Sequence, residues 1–262
     1  MLPVKISATI ITLNEEENLD RCLNSLKDVV DEIIVVDSGS QDRTLEIAAD
    51  YGARIFTRAW TDYSEQKNYA ASQASSDWIL SIDADECLGP ELKSEIASLK
   101  SGEAQADAYQ FSRMAFYLGR WIKHSGWYPD YKIRLYLKSK ATWQGNFVHE
   151  SLLVNGTVAP LKGRLLHYTC NSLSEHLVRL DRYTSLAAEE LYLNGKSGGY
   201  FQLVFSPPLT FVRTFFVKSG FRDGGHGYLI ACLASFYNFM KYAKLRELEK
   251  NPRMKRATEV KR

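Results

Sequence analysis

The sequence predicts an α/β fold, a mostly parallel sheet with flanking helices, followed by a smaller helical region at the C-terminus. Short apolar, β-branched segments alternate with segments of helical periodicity over residues 4–100, and strands separated by helices form βαβ units with right-handed crossovers. Hydrophobic residues make up 45% and charged residues 24% of the 262 residues, as in globular domains. The sequence has no run of about 18 apolar residues, which argues against an ordinary transmembrane helix.

Four strands and their intervening helices are predicted in the first part of the chain. The strands are 6–12, 32–37, 53–56 and 78–83. The helix after the first strand is marked by apolar residues at helical spacing: Leu19, Cys22, Leu23, Leu26 and Val30. A second helix begins near Gln41 and ends at Gly52, because glycine suits the left-handed position that follows a helix. A third helix spans 64–75, and Pro90 in the first turn opens a fourth.

The pattern changes after about residue 105, where strands 108–116, 132–137 and 152–158 are predicted between loops rich in Trp, Tyr and Gly. Ser172 and Glu175 then form a capping box, which opens a helix. Its predicted buried face consists of Leu177, Leu180, Thr184, Ala187 and Leu191.

The C-terminal part contains a predicted break and two further segments. Pro207 and Pro208 predict a helix break, and an apolar segment 228–240 leads into a basic helix 241–250. We therefore predict one domain over 1–170, divided near 104, and a helical, basic extension over 171–262.

Charge is distributed unevenly along the chain. From Lys196 onward there are 13 Lys and Arg against 4 Asp and Glu, although the net charge of the whole chain is only +2. This asymmetry favours different partners for the two regions, with a solvated tail as the alternative. The four cysteines are scattered singly, which supports neither a zinc module nor a disulfide scaffold and fits a reducing compartment.

Polar residues follow three of the predicted parallel strands, at the edge where such sheets bind ligands. These segments are 12–15, 37–40 and 83–86. None contains the glycine motif of a dinucleotide site or a P-loop. Carboxylates repel a diphosphate but can hold it through a divalent cation, since Mg²⁺ binds one or two carboxylates together with phosphate oxygens. An isolated Asp at a strand end is more often a turn former. The indication of a metal-dependent site therefore comes from the three polar segments together and not from any one of them.

Taken together, these segments resemble glycosyltransferase family 2. The resemblance rests on TIITLNEEEN at 9–18, IIVVDSGSQDRT at 33–44, WILSIDADE at 78–86, and Gln66-Lys67-Asn68. They are most similar to the lipopolysaccharide-core branch, typified by β-1,4-glucosyltransferases acting on inner-core heptose. The specific match covers about residues 4–100, with a looser similarity at 147–150, at His167 and over 220–245. Many relatives have two acidic residues where this chain has Asp37-Ser38.

The resemblance implies a GT-A fold with a Rossmann-like sheet, a nucleotide-sugar donor, a divalent Mg²⁺ or Mn²⁺ ion, and inversion at the anomeric carbon. It makes Asp85 a catalytic metal ligand and places Asp83 at the ribose or the metal, with His167 as a further candidate ligand. Lys67 would meet a donor phosphate, with a solvated helix lysine as the alternative. The expected donor-binding residues are Thr12, Leu13, Asn14, Glu15, Asp37, Ser38, Lys67, Asp83, Ala84 and Asp85.

An inverting transfer also needs a base that deprotonates the acceptor hydroxyl. Glu150 is the first candidate because it follows the parallel sheet in an aromatic-rich region. Asp130 and His149 are its rivals. Trp127, Tyr128 and His149 are expected to contact the acceptor, although aromatic residues are as commonly part of a core.

The expected activity is metal-dependent transfer of a hexose, glucose in the first instance, from a UDP-sugar to a lipopolysaccharide-core or related surface glycan. A polyprenyl-phosphate sugar synthase and a catalytically silent nucleotide-sugar-binding scaffold are the alternatives. Phenylalanines between 201 and 221 lie among Arg213, Lys218 and Arg222, which suits an anionic membrane surface, or else a packed helical subdomain. We expect a cytoplasmic protein, peripheral on the inner face of the cell membrane, with a lipid-linked acceptor and no nucleic-acid partner.

Overall fold

The chain forms two compact units in a computed structural model that describes residues 4–102, 104–145 and 150–251. The first, here called the α/β unit, comprises residues 1–115 and 129–169. The second, the helical unit, comprises residues 116–128 and 170–262. The segment 116–128 therefore joins the C-terminal region, whereas the sequence assigned it to the first domain.

Eleven strands and seven α-helices are formed by the described residues. In chain order they are β1 (Ile6–Thr12), α1 (Leu19–Leu26), β2 (Glu32–Asp37), α2 (Thr44–Asp50), β3 (Arg54–Thr57), α3 (Tyr63–Ser72), β4 (Trp78–Ser81), β5 (Glu86–Leu88), α4 (Pro90–Ser101), β6 (Ala108–Tyr117), β7 (Arg120–Trp121), β8 (Asp130–Leu137), β9 (Ala141–Gln144), β10 (Ser151–Val154), β11 (Val158–Cys170), α5 (Leu173–Leu193), α6 (Tyr200–Val212) and α7 (Gly225–Lys250). A π-helical turn (Arg213–Val217) and a 3₁₀ turn (Gly220–Asp223) connect α6 to α7.

The main sheet has the strand order β3-β2-β1-β4-β8-β6-β11-β5. Strand β1 pairs in parallel with β2 and β4, and β2 pairs in parallel with β3, so the carboxyl ends of these four strands meet at one edge. Strand β8 is antiparallel to β4 and to β6. The four strands predicted first are confirmed, with ends within two residues of the predicted ones.

The core of the α/β unit packs helix α1 against the sheet. Ile6, Ala8 and Ile10 alternate along one face of β1 and are fully buried with Leu19 and Leu23 of α1. The strand was predicted because the segment is short, apolar and β-branched, and the helix was predicted from the helical spacing of its apolar residues.

Helix α1 is shorter than its apolar pattern predicted. It ends at Leu26, so the expected helical position of Val30 is wrong. The chain leaves the helix because Asp28 takes a left-handed conformation with φ 64°, which an α-helix does not contain.

The single strand predicted over 152–158 is also wrong. Strand β10 ends at Val154, and the chain turns before β11 begins at Val158. The turn is held by Asp107, whose carboxylate accepts hydrogen bonds from the Thr157 amide at 2.8 Å and hydroxyl at 3.0 Å. A Cβ on Gly156 would lie 2.4 Å from that carboxylate, so a larger residue there would displace the Asp107 side chain from the turn.

Helix α5 of the helical unit begins as predicted at its cap. The Ser172 hydroxyl accepts a hydrogen bond from the Glu175 amide at 3.1 Å, and the Glu175 carboxylate accepts one from the amide of Asn171 at 3.0 Å. The predicted face is partly wrong. The buried residues are Leu180, Thr184 and Ala188, which are four residues apart. Leu177 is exposed, because the buried face begins one turn after it.

The helix break predicted at Pro207 and Pro208 does not occur, because α6 runs through both residues. Proline fixes φ near the helical value and removes one hydrogen bond to the preceding turn. No residue of α6 is buried. The carbonyl of Pro207 itself accepts a hydrogen bond from the Ser235 hydroxyl of α7 at 2.8 Å.

The segment 116–128 is tied into the helical unit by one buried carboxylate. Asp223 is only 2% exposed and accepts hydrogen bonds from the amides of Lys123 at 3.2 Å and His124 at 2.9 Å. The carbonyl of Leu118 is 3.1 Å from the imidazole Nε2 of His226. Among the described helices, none combines the length and the hydropathy needed to cross a membrane.

Candidate active site

The loop after β2 is built around the carboxylate of Asp37. One of its oxygens accepts hydrogen bonds from the hydroxyls of Thr12 at 2.9 Å and Ser40 at 2.5 Å. The other accepts from the amides of Gly39 and Ser40, both at 2.8 Å. Burial raises the pKa of Asp37, but these hydrogen bonds outweigh it and hold that pKa below its usual value. Asp37 is therefore an ionised anchor that joins the ends of β1 and β2.

The loop after β1 is fastened to the same turn. Asn14 is left-handed, with φ 55°, and its amide donates to the Ser40 hydroxyl at 2.8 Å. The amide of Glu15 donates to the Thr44 hydroxyl at 2.8 Å. Leu13 between Thr12 and Asn14 is half-exposed. The predicted donor-binding residues of these two loops therefore lie together at the carboxyl edge of the sheet.

A residue of helix α3 hydrogen-bonds to Ser38. The Ser38 hydroxyl accepts a hydrogen bond from the side-chain amide of Gln66 at 3.0 Å. Gln66 is fully buried, and its Oε1 has no partner in the part of the chain that the structure describes. The resemblance included Gln66 in its motif without assigning it a role, and the structure places it beneath the Asp37-Ser38 turn.

Asp83 follows strand β4 and lies between two cations. Its carboxylate is 2.9 Å from the Lys67 ammonium and 2.5 Å from the Arg134 guanidinium. Burial raises the pKa of Asp83, but Arg134 and then Lys67 lower it well below the usual range for an aspartate. Asp83 is thus a permanent anion, and Ala84 after it is buried.

Lys67 is a buried residue of α3, so the alternative of a solvated helix lysine is wrong. It is 3% exposed, and its ammonium lies 4.5 Å from the centre of the Trp143 ring. The same ammonium is 2.9 Å from Asp83 and 3.8 Å from the carboxylate of Glu150. Lys67 therefore connects the aspartate after β4 with the candidate base.

Arg134 and its partners were not predicted from the sequence as site residues. Arg134 is 4% exposed on β8 and binds Glu86 at 3.0 Å as well as Asp83. Glu86 is also bound by Arg113 at 3.1 Å, and Arg113 binds Asp130 at 2.8 Å. An arginine inside an apolar strand was the signal available, because a buried charge requires a partner.

Asp85 faces a different partner. Its carboxylate lies 3.1 Å from Nε2 of His167, and its carbonyl accepts a hydrogen bond from the Tyr168 amide at 2.9 Å. Strand β11, which pairs His167 with Glu86, creates this contact. Asp85 and His167, predicted from the resemblance as candidate ligands, are thus brought together across 82 residues of sequence.

The Asp85–His167 pair fits a divalent cation. A carboxylate oxygen and an imidazole nitrogen at this separation can both contact one ion, and Mn²⁺ and Mg²⁺ take oxygen ligands with some nitrogen. No group of three or more His, Cys, Asp or Glu suited to a metal is found among the described residues. The pair would therefore supply two ligands and leave the other positions to a ligand bearing oxygen atoms.

The charges around these residues favour a cation. Five carboxylates lie at the site, those of Asp83, Asp85, Glu86, Asp130 and Glu150, and four cations balance them in part, those of Lys67, Arg113, Lys132 and Arg134. The network therefore carries a net negative charge before any ligand binds. Such a potential attracts a divalent ion and, through that ion, a diphosphate.

The rivals of Glu150 are placed differently. Asp130 is held by Arg113 and also by Lys132 at 3.2 Å, so its carboxylate is engaged in ion pairs. His149 lies outside the described residues. Among the described residues, the cation near Glu150 is Lys67, at 3.8 Å, and Glu150 is half-buried just before β10.

The predicted acceptor aromatics lie in the helical unit. The ring of Trp127 packs edge-on against Tyr117 at 5.2 Å, beside a buried cluster that contains Ile122 and Ile230. Tyr128 follows it and is half-buried. The structure gives Trp127 a packing role, and the prediction that Trp127 and Tyr128 contact an acceptor stays a prediction.

The chain is similar to several known proteins. The family model of Glycosyl transferase family 2 matches residues 7–153. An uncharacterized glycosyltransferase of Rickettsia typhi is 36% identical, covering 93% of this chain and 87% of its own. The lipopolysaccharide core biosynthesis glycosyltransferase LpsC of Rhizobium meliloti is 30% identical, covering 94% and 93%. Residues 1–349 of S. aureus TarS, solved with UDP-GlcNAc, are 16% identical with a TM-score of 0.49, covering 96% and 92%.

The match to the family model spans more than half of the chain, and the two relatives extend the similarity over almost all of it. The matched region contains β1 to β4, the loops that end them, and Glu150. The chain belongs to glycosyltransferase family 2 and is a glycosyltransferase with a GT-A-like α/β fold.

Proposed function

We propose that this glycosyltransferase moves a hexose from a UDP-sugar to a lipopolysaccharide-core or related surface-glycan acceptor, with inversion at the anomeric carbon and with a divalent metal ion. The observation that carries the proposal is the group of Asp83, Asp85, Lys67 and Glu150 at the carboxyl edge of the parallel sheet. The lipopolysaccharide acceptor is supported by the R. meliloti relative LpsC, a lipopolysaccharide core biosynthesis glycosyltransferase. Glucose is the hexose we favour, and the acceptor would be lipid-linked.

Asp85 and His167 would hold the metal ion, Mg²⁺ or Mn²⁺. When bound, such an ion neutralises charge on the departing diphosphate without proton transfer. Asp83, kept ionised by Arg134 and Lys67, would accept a hydrogen bond from a ribose hydroxyl of the donor. The ammonium of Lys67, already in the site, would contact a phosphate oxygen as a point charge.

Glu150 would accept the proton of the acceptor hydroxyl as that oxygen attacks the sugar. Its position favours a hydroxyl acceptor over a phosphate acceptor, because a phosphate is already deprotonated and needs no base. The contact with Lys67 at 3.8 Å holds the carboxylate beside the donor-binding residues. This arrangement supports transfer to a sugar more than synthesis of a polyprenyl-phosphate sugar.

The donor part of the proposal is tested by calorimetric titration with UDP-glucose in the presence of Mn²⁺. We expect saturable binding to the wild type that EDTA removes, and at least a tenfold weaker affinity for Asp85→Ala. Asp50→Ala is the matched control, because Asp50 is an exposed carboxylate at the end of α2. Binding unaffected by EDTA and by Asp85→Ala would contradict the metal assignment, and preferential binding of GDP-mannose would contradict the uridine donor.

A further inference from the structure

The outward side of α6 is made of exposed apolar residues. Tyr200 is 72%, Phe201 69%, Val204 56%, Phe205 50%, Leu209 63% and Val212 48% exposed. The helix has no charged residue along its 13 positions. A helix on the surface of a soluble protein normally directs its charged residues toward water, so this side has the opposite composition.

Two polar groups of α6 lie on its inward side, against α7, whereas Gln202 is exposed. The Ser235 hydroxyl of α7 donates to the carbonyl of Pro207 at 2.8 Å, and the Asn238 amide of α7 donates to the Thr210 hydroxyl at 2.9 Å. Helix α6 therefore hydrogen-bonds to its neighbour and, apart from Gln202, presents mainly hydrocarbon outward. This inverted polarity is typical of helices whose outer medium is lipid, where polar side chains hydrogen-bond between helices.

The apolar surface continues beyond α6 and acquires positive charge. Phe216 is 57%, Val217 74% and Phe221 52% exposed in the two turns that follow α6. Arg213, Lys218 and Arg222 stand among these residues and are exposed. An open crevice of about 530 Å³ lies between α6 and α7, lined by Pro207, Pro208, Phe211, Val212, Phe236 and Phe239.

We propose that the outward side of α6 with residues 213–222, here called the α6 surface, binds the interface of a membrane that contains anionic lipids. The apolar side chains would enter the boundary between headgroups and acyl chains, and the three cations would contact lipid phosphates. A helix of this length extends only about 20 Å, less than the roughly 30 Å of a bilayer's hydrocarbon core. The helix would therefore lie along the interface.

The charges favour lipid over a second copy of this chain. A two-fold dimer would place the α6 surface against itself and would bring Arg213, Lys218 and Arg222 toward the same cations of the partner. The nearest carboxylate in sequence, Asp223, is buried and accepts main-chain hydrogen bonds, so it does not compensate them. Phosphate headgroups supply the missing negative charge.

The proposal is tested by flotation of the full chain with vesicles of phosphatidylglycerol and phosphatidylcholine at 3:7, and with pure phosphatidylcholine. We expect strong binding to the anionic vesicles, weakened by rising NaCl. The triple variant Arg213→Gln, Lys218→Gln, Arg222→Gln should bind on the order of 100-fold less well, since each cation near the surface contributes about fivefold. Phe201→Ser, Phe205→Ser, Leu209→Ser together should lose at least about tenfold.

Matched controls separate the α6 surface from general effects. Lys27→Gln, Lys162→Gln, Arg164→Gln removes the same charge from exposed positions of the α/β unit, and Val178→Ser removes an exposed apolar residue of α5. Both should bind as the wild type does, and all variants should keep the wild-type circular dichroism spectrum. Equal losses in the controls, or no binding of the wild type to anionic vesicles, would overturn the proposal. Light scattering without vesicles tests for a dimer. If the wild type were a dimer and the apolar triple variant a monomer, a second copy of the chain would cover the α6 surface instead of lipid.

Discussion

The two units of this chain depart from ordinary packing in opposite ways. The α/β unit places charged side chains inside, with Lys67, Glu86 and Arg134 at most 4% exposed. The helical unit places apolar side chains outside, on α6 and the turns after it. Both arrangements cost free energy in water, since burying a charge and exposing a large apolar patch are each unfavourable. The contrast fits a charged ligand for the α/β unit and, as we propose above, a lipid surface for the helical unit.

The largest effect should follow removal of the candidate base. We expect Glu150→Gln to lower kcat about 10³-fold with little change in the apparent affinity for the donor, because general-base catalysis typically contributes 10²- to 10⁴-fold. Steady-state rates of transfer would measure it, with Glu91→Gln on α4 as an exposed control. If kcat of the Glu150→Gln variant were within threefold of the wild-type value, Glu150 would not be the general base.

The buried network itself is tested through stability. Arg134→Met leaves Asp83 and Glu86 without their shared partner, and breaking a buried ion pair from one side costs about 3–5 kcal/mol. Urea unfolding should show this loss in the free energy of unfolding, whereas Arg164→Met, at an exposed position, should change it by less than about 0.5 kcal/mol. If Arg134→Met lowered the free energy of unfolding by less than about 1 kcal/mol, the ion pairs of Arg134 with Asp83 and Glu86 would not be shielded from water.

The contribution of the Glu32 carboxylate to the stability of the α/β unit should depend on pH, because only the ionised carboxylate is stabilised by its hydrogen bonds. Burial raises the pKa of Glu32, but hydrogen bonds from Ser7, Ser75 and Arg54 lower it to about 2. Because its pKa is lower in the folded protein, Glu32 stabilises that state above about pH 4.5, and the contribution is lost as the pH falls toward 2. Glu32→Gln should destabilise the protein by about 1–2 kcal/mol at pH 7.

Urea unfolding at several pH values would measure the effect of Glu32. The difference between the wild type and Glu32→Gln should narrow below about pH 4.5. A difference that stays constant down to pH 2.5 would mean that the carboxylate is not selectively stabilised by folding.

The smallest expected effect concerns the α6 surface. Leu209 is already 63% exposed, and leucine and glutamine have similar helix propensities. We therefore expect Leu209→Gln to change the free energy of unfolding by less than about 0.5 kcal/mol, whereas Leu23→Gln in the core of the α/β unit should cost several kcal/mol. Thermal unfolding of both variants is the measurement. A large loss for Leu209→Gln would show that this residue packs within the folded chain.

The sequence predicted the parts of the fold that depend on local pattern. Strand β1 is short, apolar and β-branched, and helix α1 has its apolar residues at helical spacing, so both elements could be predicted. The Asp37 turn and the Asp83–Asp85 segment follow apolar strands, so their places at the sheet edge could be derived. The family resemblance added their roles. Contacts between distant segments could not be derived in the same way, because nothing local marks Arg134 as the partner of Asp83, 51 residues away.

The errors in the sequence-based prediction have physical causes of the same kind. Pro207 and Pro208 are poor helix residues by propensity, yet the packing of α6 on α7 and the Ser235 hydrogen bond hold the helix there. The turn after Val154 depends on Asp107, which lies 50 residues from Thr157. Tertiary contacts decided both cases against the local signal.

The most direct measurement is the anomeric configuration of the transferred sugar. The enzyme would be incubated with UDP-[¹³C]glucose, Mn²⁺ and lipopolysaccharide whose core ends in heptose, and the product would be examined by NMR. We predict a new β-linked glucose, opposite to the α-linkage in the donor, that is absent with Asp85→Ala and present with Asp50→Ala. An α-linked product would contradict the inverting chemistry assigned to Glu150. Lack of transfer to this acceptor, together with transfer to another glycan, would contradict the lipopolysaccharide assignment.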